Sequence, residues 1–151
     1  MIEIIDYQSQ HQPAFAALNL AWISKDFAVE PHDEEQLGNP QKYILDDGGQ
    51  IFLAKIEDEI VGTIALVKMD NETAELAKMS VTPTHQGKGI SRKLCERLIE
   101  VAKSEGYSRL YLESNRKAVP AINLYLTLGF VELPMKNTPY ARCDIQMEMK
   151  L

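Results

Sequence analysis

Gln86-Gly87-Lys88-Gly89-Ile90-Ser91 has the composition of an anion-binding turn, standing between a strand-like run, Leu76–Val81, and an amphipathic segment that begins near Ile90. Glycines let a backbone approach an anion closely, and the first N–H groups of a helix have no partner inside it. The surrounding charge agrees. Leu76 through Cys95 contains no Asp or Glu but carries Lys78, Lys88, Arg92 and Lys93. In a chain of formal charge -6, an acid-free basic window points to something anionic that binds there. The turn lacks the G-x-x-x-x-G-K-[ST] spacing of a P-loop. It also lacks the G-x-G-x-x-G and downstream acid of a dinucleotide fold.

The elements that must position this turn follow from periodicity. Ile2–Asp6 reads as an opening strand, and Pro13 starts a helix that carries Phe15, Leu18, Trp22 and Ile23 at helical spacing. Glu30-Pro31-His32-Asp33 reads as a break, followed by a short helix around Glu34–Leu37. Gln50–Ile56 and Ile60–Lys68 form a hairpin across the turn Glu57-Asp58, and Thr73–Val81 is the next strand. The helix Ile90–Ser104 presents Ile90, Leu94, Leu98 and Val101 along one face and ends at Gly106. A strand at Arg109–Glu113, a helix from Pro120 to Leu128, and closing strands Phe130–Leu133 and Cys143–Met149 complete the pattern. That order predicts an α/β (α+β) domain around a central mixed sheet.

Composition bounds the rest. A chain of 151 residues is expected to form one domain, residues 1–151, with a sizeable core. The net negative charge argues against general nucleic-acid binding. No apolar run reaches the length of a membrane span, and the N-terminus is not a signal peptide, so a cytoplasmic location is expected. Cys95 and Cys143 read as free thiols, and His11, His32 and His85 are too scattered to suggest a metal site.

From Ile51 to Met149 the chain resembles the GCN5-related N-acetyltransferase superfamily. The family's R/Q-x-x-G-x-G/A signature stands here as Gln86-Gly87-Lys88-Gly89-Ile90-Ser91, with Ser91 in place of the final small residue. A second motif follows in order: Glu113-Ser114-Asn115, Ala118, Ala121-Ile122-Asn123-Leu124-Tyr125 and Leu128-Gly129-Phe130. The resemblance implies the acyl-CoA N-acyltransferase fold, a mostly antiparallel sheet of six to seven strands flanked by about four helices. It also implies acetyl-CoA as co-substrate, with no metal.

By that resemblance the backbone of Gln86, Gly87, Lys88, Gly89, Ile90 and Ser91 holds the pyrophosphate, and Met79, Ser80 and Val81 pair with the pantetheine arm. Asn115 bonds that arm and Tyr125 lies near the sulfur. Tyr125 is then the acid that protonates the leaving thiolate, and Glu75 the general base. Backbone N–H near Met79 would meet charge developing on the thioester oxygen. Read without the resemblance, Glu75 is a solvated strand-edge carboxylate and Tyr125 an aromatic packed on its helix. Glu113 is a second candidate base. Trp22, Glu30, His32 and Arg142 are candidate acceptor contacts: the acid-rich stretch Asp26–Glu35 suits a cation, and Arg142 suits a carboxylate.

The expected activity is acetyl transfer to a primary amine of a small molecule, amino-acid-like or polyamine-like, by direct attack in a ternary complex. A noncatalytic acyl-CoA sensor and a protein-lysine acetyltransferase are the alternatives. The exposed closing strands would suit a homodimer.

Overall fold

Alternation along the strands decides the architecture. In the computed structural model, which describes residues Met1–Leu151, Phe52 and Ala54 pack into one hydrophobic cluster while Ile51 and Leu53 pack into another. A strand that buries both faces must lie inside a sheet covered on both sides. Seven strands form that sheet: β1 (Ile2–Asp6), β2 (Gln50–Ile56), β3 (Glu59–Lys68), β4 (Thr73–Val81), β5 (Arg109–Ser114), β6 (Val131–Leu133) and β7 (Ile145–Lys150). Their spatial order is β1-β2-β3-β4-β5-β7-β6, and only β4 and β5 run parallel. The expected mixed, mostly antiparallel sheet is therefore observed.

Helices α1 (Gln12–Asp26) and α2 (Pro31–Gly38) cover one face, through Phe15, Ile23 and Leu37. Helix α3 (Ile90–Ser104) covers the other with Ile90, Leu94, Cys95, Leu98 and Ala102, and α4 (Val119–Leu128) adds Tyr125. The sheet requires a glycine under α3. A Cβ on Gly62 would lie 3.1 Å from Leu94 Cδ1 and 3.2 Å from Ile90 Cγ2, so its absence lets the helix sit close to β3. No helix is long and apolar enough to cross a membrane.

Three local expectations are corrected. Pro31 opens α2 rather than breaking the chain: it takes the first helical position, and the Asp33 carboxylate accepts the Glu30 N–H at 3.0 Å in a capping box. The helix thus spans Pro31–Gly38, longer than Glu34–Leu37. The closing strands are shorter than expected, because Phe130 donates its N–H back to the Tyr125 carbonyl, and Cys143 donates its own to Tyr140, instead of joining the sheet.

Two features of β4 create a cleft. Its pairing with β3 skips a residue, so Lys78 and Met79 both face Ile64 in a β-bulge. Its pairing with β5 covers only Thr73–Glu75 against Arg109–Tyr111. Beyond Glu75 the two parallel strands separate, and one edge of β4 is left without a partner.

Candidate active site

The separated halves of β4 and β5 bound a cleft of about 530 Å³, walled by α1, α4 and the glycine turn. At one end lies the N-terminus of α3. Gly87 and Gly89 adopt φ of 80° and 78°, conformations that side-chain-bearing residues rarely adopt, with nothing within 4 Å of a notional Cβ at either. Gly89 is the N-cap; no side chain caps the helix and its first turn holds no acid. The orphan N–H groups are thus free for an anion. Gln86 closes the approach by donating from Nε2 to the Val81 carbonyl at 3.2 Å.

The basic window is only partly what the sequence suggests. Lys88, Arg92 and Lys93 are exposed around the turn. Lys78 is not with them. The bulge gives it φ of 54° and turns it across the sheet, where Nζ donates to Asp33 Oδ1 at 2.7 Å and to the Tyr140 hydroxyl at 3.0 Å.

Further along the cleft, Met79, Ser80 and Val81 line the unpaired edge of β4. Ser80 Oγ donates to the Leu18 carbonyl at 2.9 Å, fastening α1 to this strand. A second fastening passes through the bulge. Trp22 Nε1 donates to Asn19 Oδ1, Asn19 Nδ2 to Thr63 Oγ1, and Thr63 Oγ1 to the Lys78 carbonyl, each at 2.9–3.1 Å. Asn115 is already engaged: Nδ2 donates to the Arg142 carbonyl at 2.7 Å and Oδ1 accepts the Lys117 N–H. It therefore fixes the loop after β5 against Arg142, and only its remaining valences face the cleft.

Glu75 and Tyr125 line this same cleft. Glu75 is half-buried, and burial together with the nearby Glu113 charge pushes its carboxyl up to about 7, against a smaller opposing pull from Lys78. Glu113 has neutral partners, accepting hydrogen bonds from the Tyr111 hydroxyl and Gln146 Nε2, both at 3.0 Å. Tyr125 is 6% exposed, with its ring edge-on to Phe130. Burial, reinforced by Cys95, raises its phenol above the ordinary value, so it stays protonated at neutral pH. Cys95 itself is fully buried and pushed up to about 12.

The candidate acceptor residues separate. Trp22 and Arg142 line the cleft, but Glu30 and His32 do not. Glu30 accepts the Ala141 N–H at 2.9 Å and a bond from Arg142 Nη1 at 3.3 Å, and His32 packs edge-on against Tyr140. Arg142 grips Asp33 with both Nη atoms at 2.7 Å. The acidic stretch and the arginine, expected to meet substrate, instead satisfy one another. Sequence reasoning missed Phe27 and Tyr140, which with Trp22 make the apolar wall, and it read Asp33 as part of an acid-rich acceptor contact, whereas Asp33 holds Lys78 and Arg142. Its place in the capping box of α2 is the signal that marks it as structural.

A family model for the acetyltransferase (GNAT) family matches residues 16–130. The uncharacterized N-acetyltransferase YjgM of Escherichia coli is 31% identical, over 94% of this chain and 90% of that protein. The chain spans under half the length of some curated relatives, 42% in the case of human N-acetyltransferase 8B. A GNAT-family acetyltransferase from Staphylococcus aureus superposes with a TM-score of 0.89 at 26% identity, covering 99% of each chain. A Salmonella typhimurium structure described as a putative acetyltransferase with its cofactor acetyl-CoA has a TM-score of 0.77 at 21% identity, over 99% and 94% of the two chains. With its splayed β4 and β5, its uncapped glycine turn and these matches, the chain belongs to the acetyltransferase (GNAT) family.

Proposed function

We propose that this protein is an N-acetyltransferase that moves acetyl from acetyl-CoA to the primary amine of a small molecule. The observation that carries this reading is the presence of Glu75 and Tyr125 in one cleft that opens from the α3 N-terminus. When bound, acetyl-CoA supplies a thioester activated toward attack by an amine.

The chain's residues do the rest. Open N–H groups at Gly87–Ser91 suit the diphosphate, and the unpaired edge of β4 suits an extended amide-bearing arm. An alkylamine of pKa about 10.4 is neutral in only about one molecule in a few thousand at pH 7, so a base is needed. A carboxyl poised at about 7 is matched to that task. Glu75 therefore takes the ammonium proton, directly or through one water. Tyr125, protonated at working pH, donates to the departing thiolate as the C–S bond breaks, and the second proton, shed by the nitrogen once the C–N bond has formed, restores the phenol. The Met79 N–H, at the bulge, is the donor for charge developing on the carbonyl oxygen.

Transfer is direct, without an acyl-enzyme. Cys95 is buried with its thiol at about 12, and Cys143, though it lines the cleft, is also raised, first by burial and then by Glu113. Neither supplies a thiolate nucleophile at neutral pH.

The test is coenzyme A release over a panel of amines, with Tyr125→Phe beside the wild type. Tyr125→Phe should lower kcat by about 10²-fold while the KM for acetyl-CoA moves less than about twofold. Unchanged turnover in that variant would remove Tyr125 as the acid. Tight coenzyme A binding without transfer to any amine would instead favour a sensor.

A further inference from the structure

We infer that the acceptor in this cleft is an amine that carries no carboxylate, an alkyl or arylalkyl amine or diamine rather than an amino acid. This rests on the small-amine acetyl-transfer reading above.

An amino-acid acceptor needs a cation with free donors to receive its carboxylate. Two cations lie in the wall at the end of the cleft away from the glycine turn, Lys78 and Arg142. Both are spent. The Lys78 side chain is 3% exposed and donates to Asp33 and Tyr140. Arg142 is 11% exposed, bidentate to Asp33 and also bonded to Glu30. Its guanidinium carbon lies 4.3 Å from the centroid of the Tyr140 ring, a position in which an incoming carboxylate would have to break a buried ion pair first. The two cations and two carboxylates neutralise one another in place.

The remaining charge on that part of the wall is negative. Glu113 and Asp26 line the cleft, Glu75 adds a partial charge at neutral pH, and none of the three is within 4.0 Å of a basic nitrogen. The partners of Glu113 are neutral donors. Asp26 sits at the C-terminal end of α1, where the helix dipole adds to its sign. The wall's other basic groups, His85 and Arg92, belong to the glycine-turn end, and Arg92 is paired with Glu96. Lys117, near the rim, rests over the Phe27 ring. A cationic amine is drawn into this field, whereas an α-carboxylate would face like charge with no unpaired cation among the residues lining this end, Lys117 lying outside that lining. Trp22, Phe27 and Tyr140 offer an apolar surface to an alkyl or aromatic stem.

The experiment uses the wild-type protein and pairs of acceptors that differ by the carboxylate alone: putrescine and ornithine, cadaverine and lysine, tyramine and tyrosine, tryptamine and tryptophan. Coenzyme A release is followed for each, together with the methyl ester of each amino acid. In every pair that is turned over, kcat/KM should be at least about tenfold higher for the decarboxylated member, and the ester should recover most of the loss. An amino acid used as well as its amine, or an ester as poor as its acid, overturns the inference while leaving small-amine transfer standing. Transfer to a lysine peptide but to none of the small amines, or to nothing at all, overturns the small-amine reading, and the inference falls with it.

Discussion

Asp33 on α2 and Lys78 at the β4 bulge form an ion pair, with Nζ donating to Oδ1 at 2.7 Å and the two side chains 0% and 3% exposed. The contact joins a helix entered by a capping box to a residue held at φ of 54°. A non-glycine residue in that region costs roughly 1–3 kcal/mol, so the bulge needs an anchor. Asp33 supplies it, and holds Arg142 as well.

Breaking this pair should be costly and pH-dependent. Burial alone would raise the Asp33 carboxyl, but hydrogen bonds from Arg142 and Lys78 outweigh it and hold the group well below the carboxylate range. A depressed folded pKa contributes stability that is present above the unfolded value and lost as pH falls through the folded one. Asp33→Asn should therefore lower unfolding free energy by about 3 kcal/mol at pH 7, because it leaves Lys78 buried without its counter-ion. In urea titrations the gap from wild type should narrow below about pH 4. A gap that stays constant from pH 7 to pH 3 would assign the loss to packing instead.

The same pair marks where sequence reading stops. The glycine turn, α3 and the β2–β3–β4 meander were legible because each is fixed by neighbours within a few residues: glycine spacing, a helical stripe, a hairpin turn. Lys78 was not. It sits in a basic window with Lys88 and Arg92, and charge patterning assigns all of them to one anion; the bulge that turns it away is a register shift between two strands. Arg142 was misread for a related reason. Its partners Glu30 and Asp33 lie more than a hundred residues earlier, so each looked free when read alone. Asn115 lines the cleft, and its bond to the Arg142 carbonyl is another contact that local pattern cannot carry. Pro31 shows the opposite error: a local signal read as a stop, when proline at a first helical position is a start.

The turn at Gly87–Gly89 can be tested apart from the rest of the cleft. Gly89→Ala puts a methyl group on a residue at φ of 78°, with open space around it. The folding cost is about 1 kcal/mol of backbone strain. The larger effect should be on the anion, which must approach the same backbone. The KM for acetyl-CoA should rise about tenfold or more, with kcat changed less than about threefold. Gly106→Ala is the control, since Gly106 also has positive φ (88°) and open surroundings but lies past the far end of α3. It should lose similar stability with an unaltered KM. If both variants raise KM equally, the turn is not the anion cradle.

Glu75 joins catalysis to stability in a way that separates a base from a structural carboxylate. Its carboxyl is raised from 4.5 to about 7 by burial first and by Glu113 second. Between those values the folded state binds more protons than the unfolded one, so stability falls as pH rises across the window. Glu75→Gln keeps the shape and removes the titration. It should melt higher than wild type at pH 8, by roughly 10 °C for a cost of about 3 kcal/mol in a chain of this size. The difference should vanish near pH 4.5, where wild-type Glu75 is protonated in the folded state. Activity should move the other way. Wild-type kcat/KM should rise through about pH 7 to a plateau, because the amine enters as the ammonium and the base must be ionised. Glu75→Gln should fall by about 10²-fold at pH 7, and its residual rate should keep climbing with pH, since only amine already neutral in solution can react. A variant that melts higher at pH 8 but retains the wild-type pH profile would make Glu75 a strained wall residue and pass the role of base to Glu113. A variant less stable at every pH would contradict the buried, unpaired carboxyl itself.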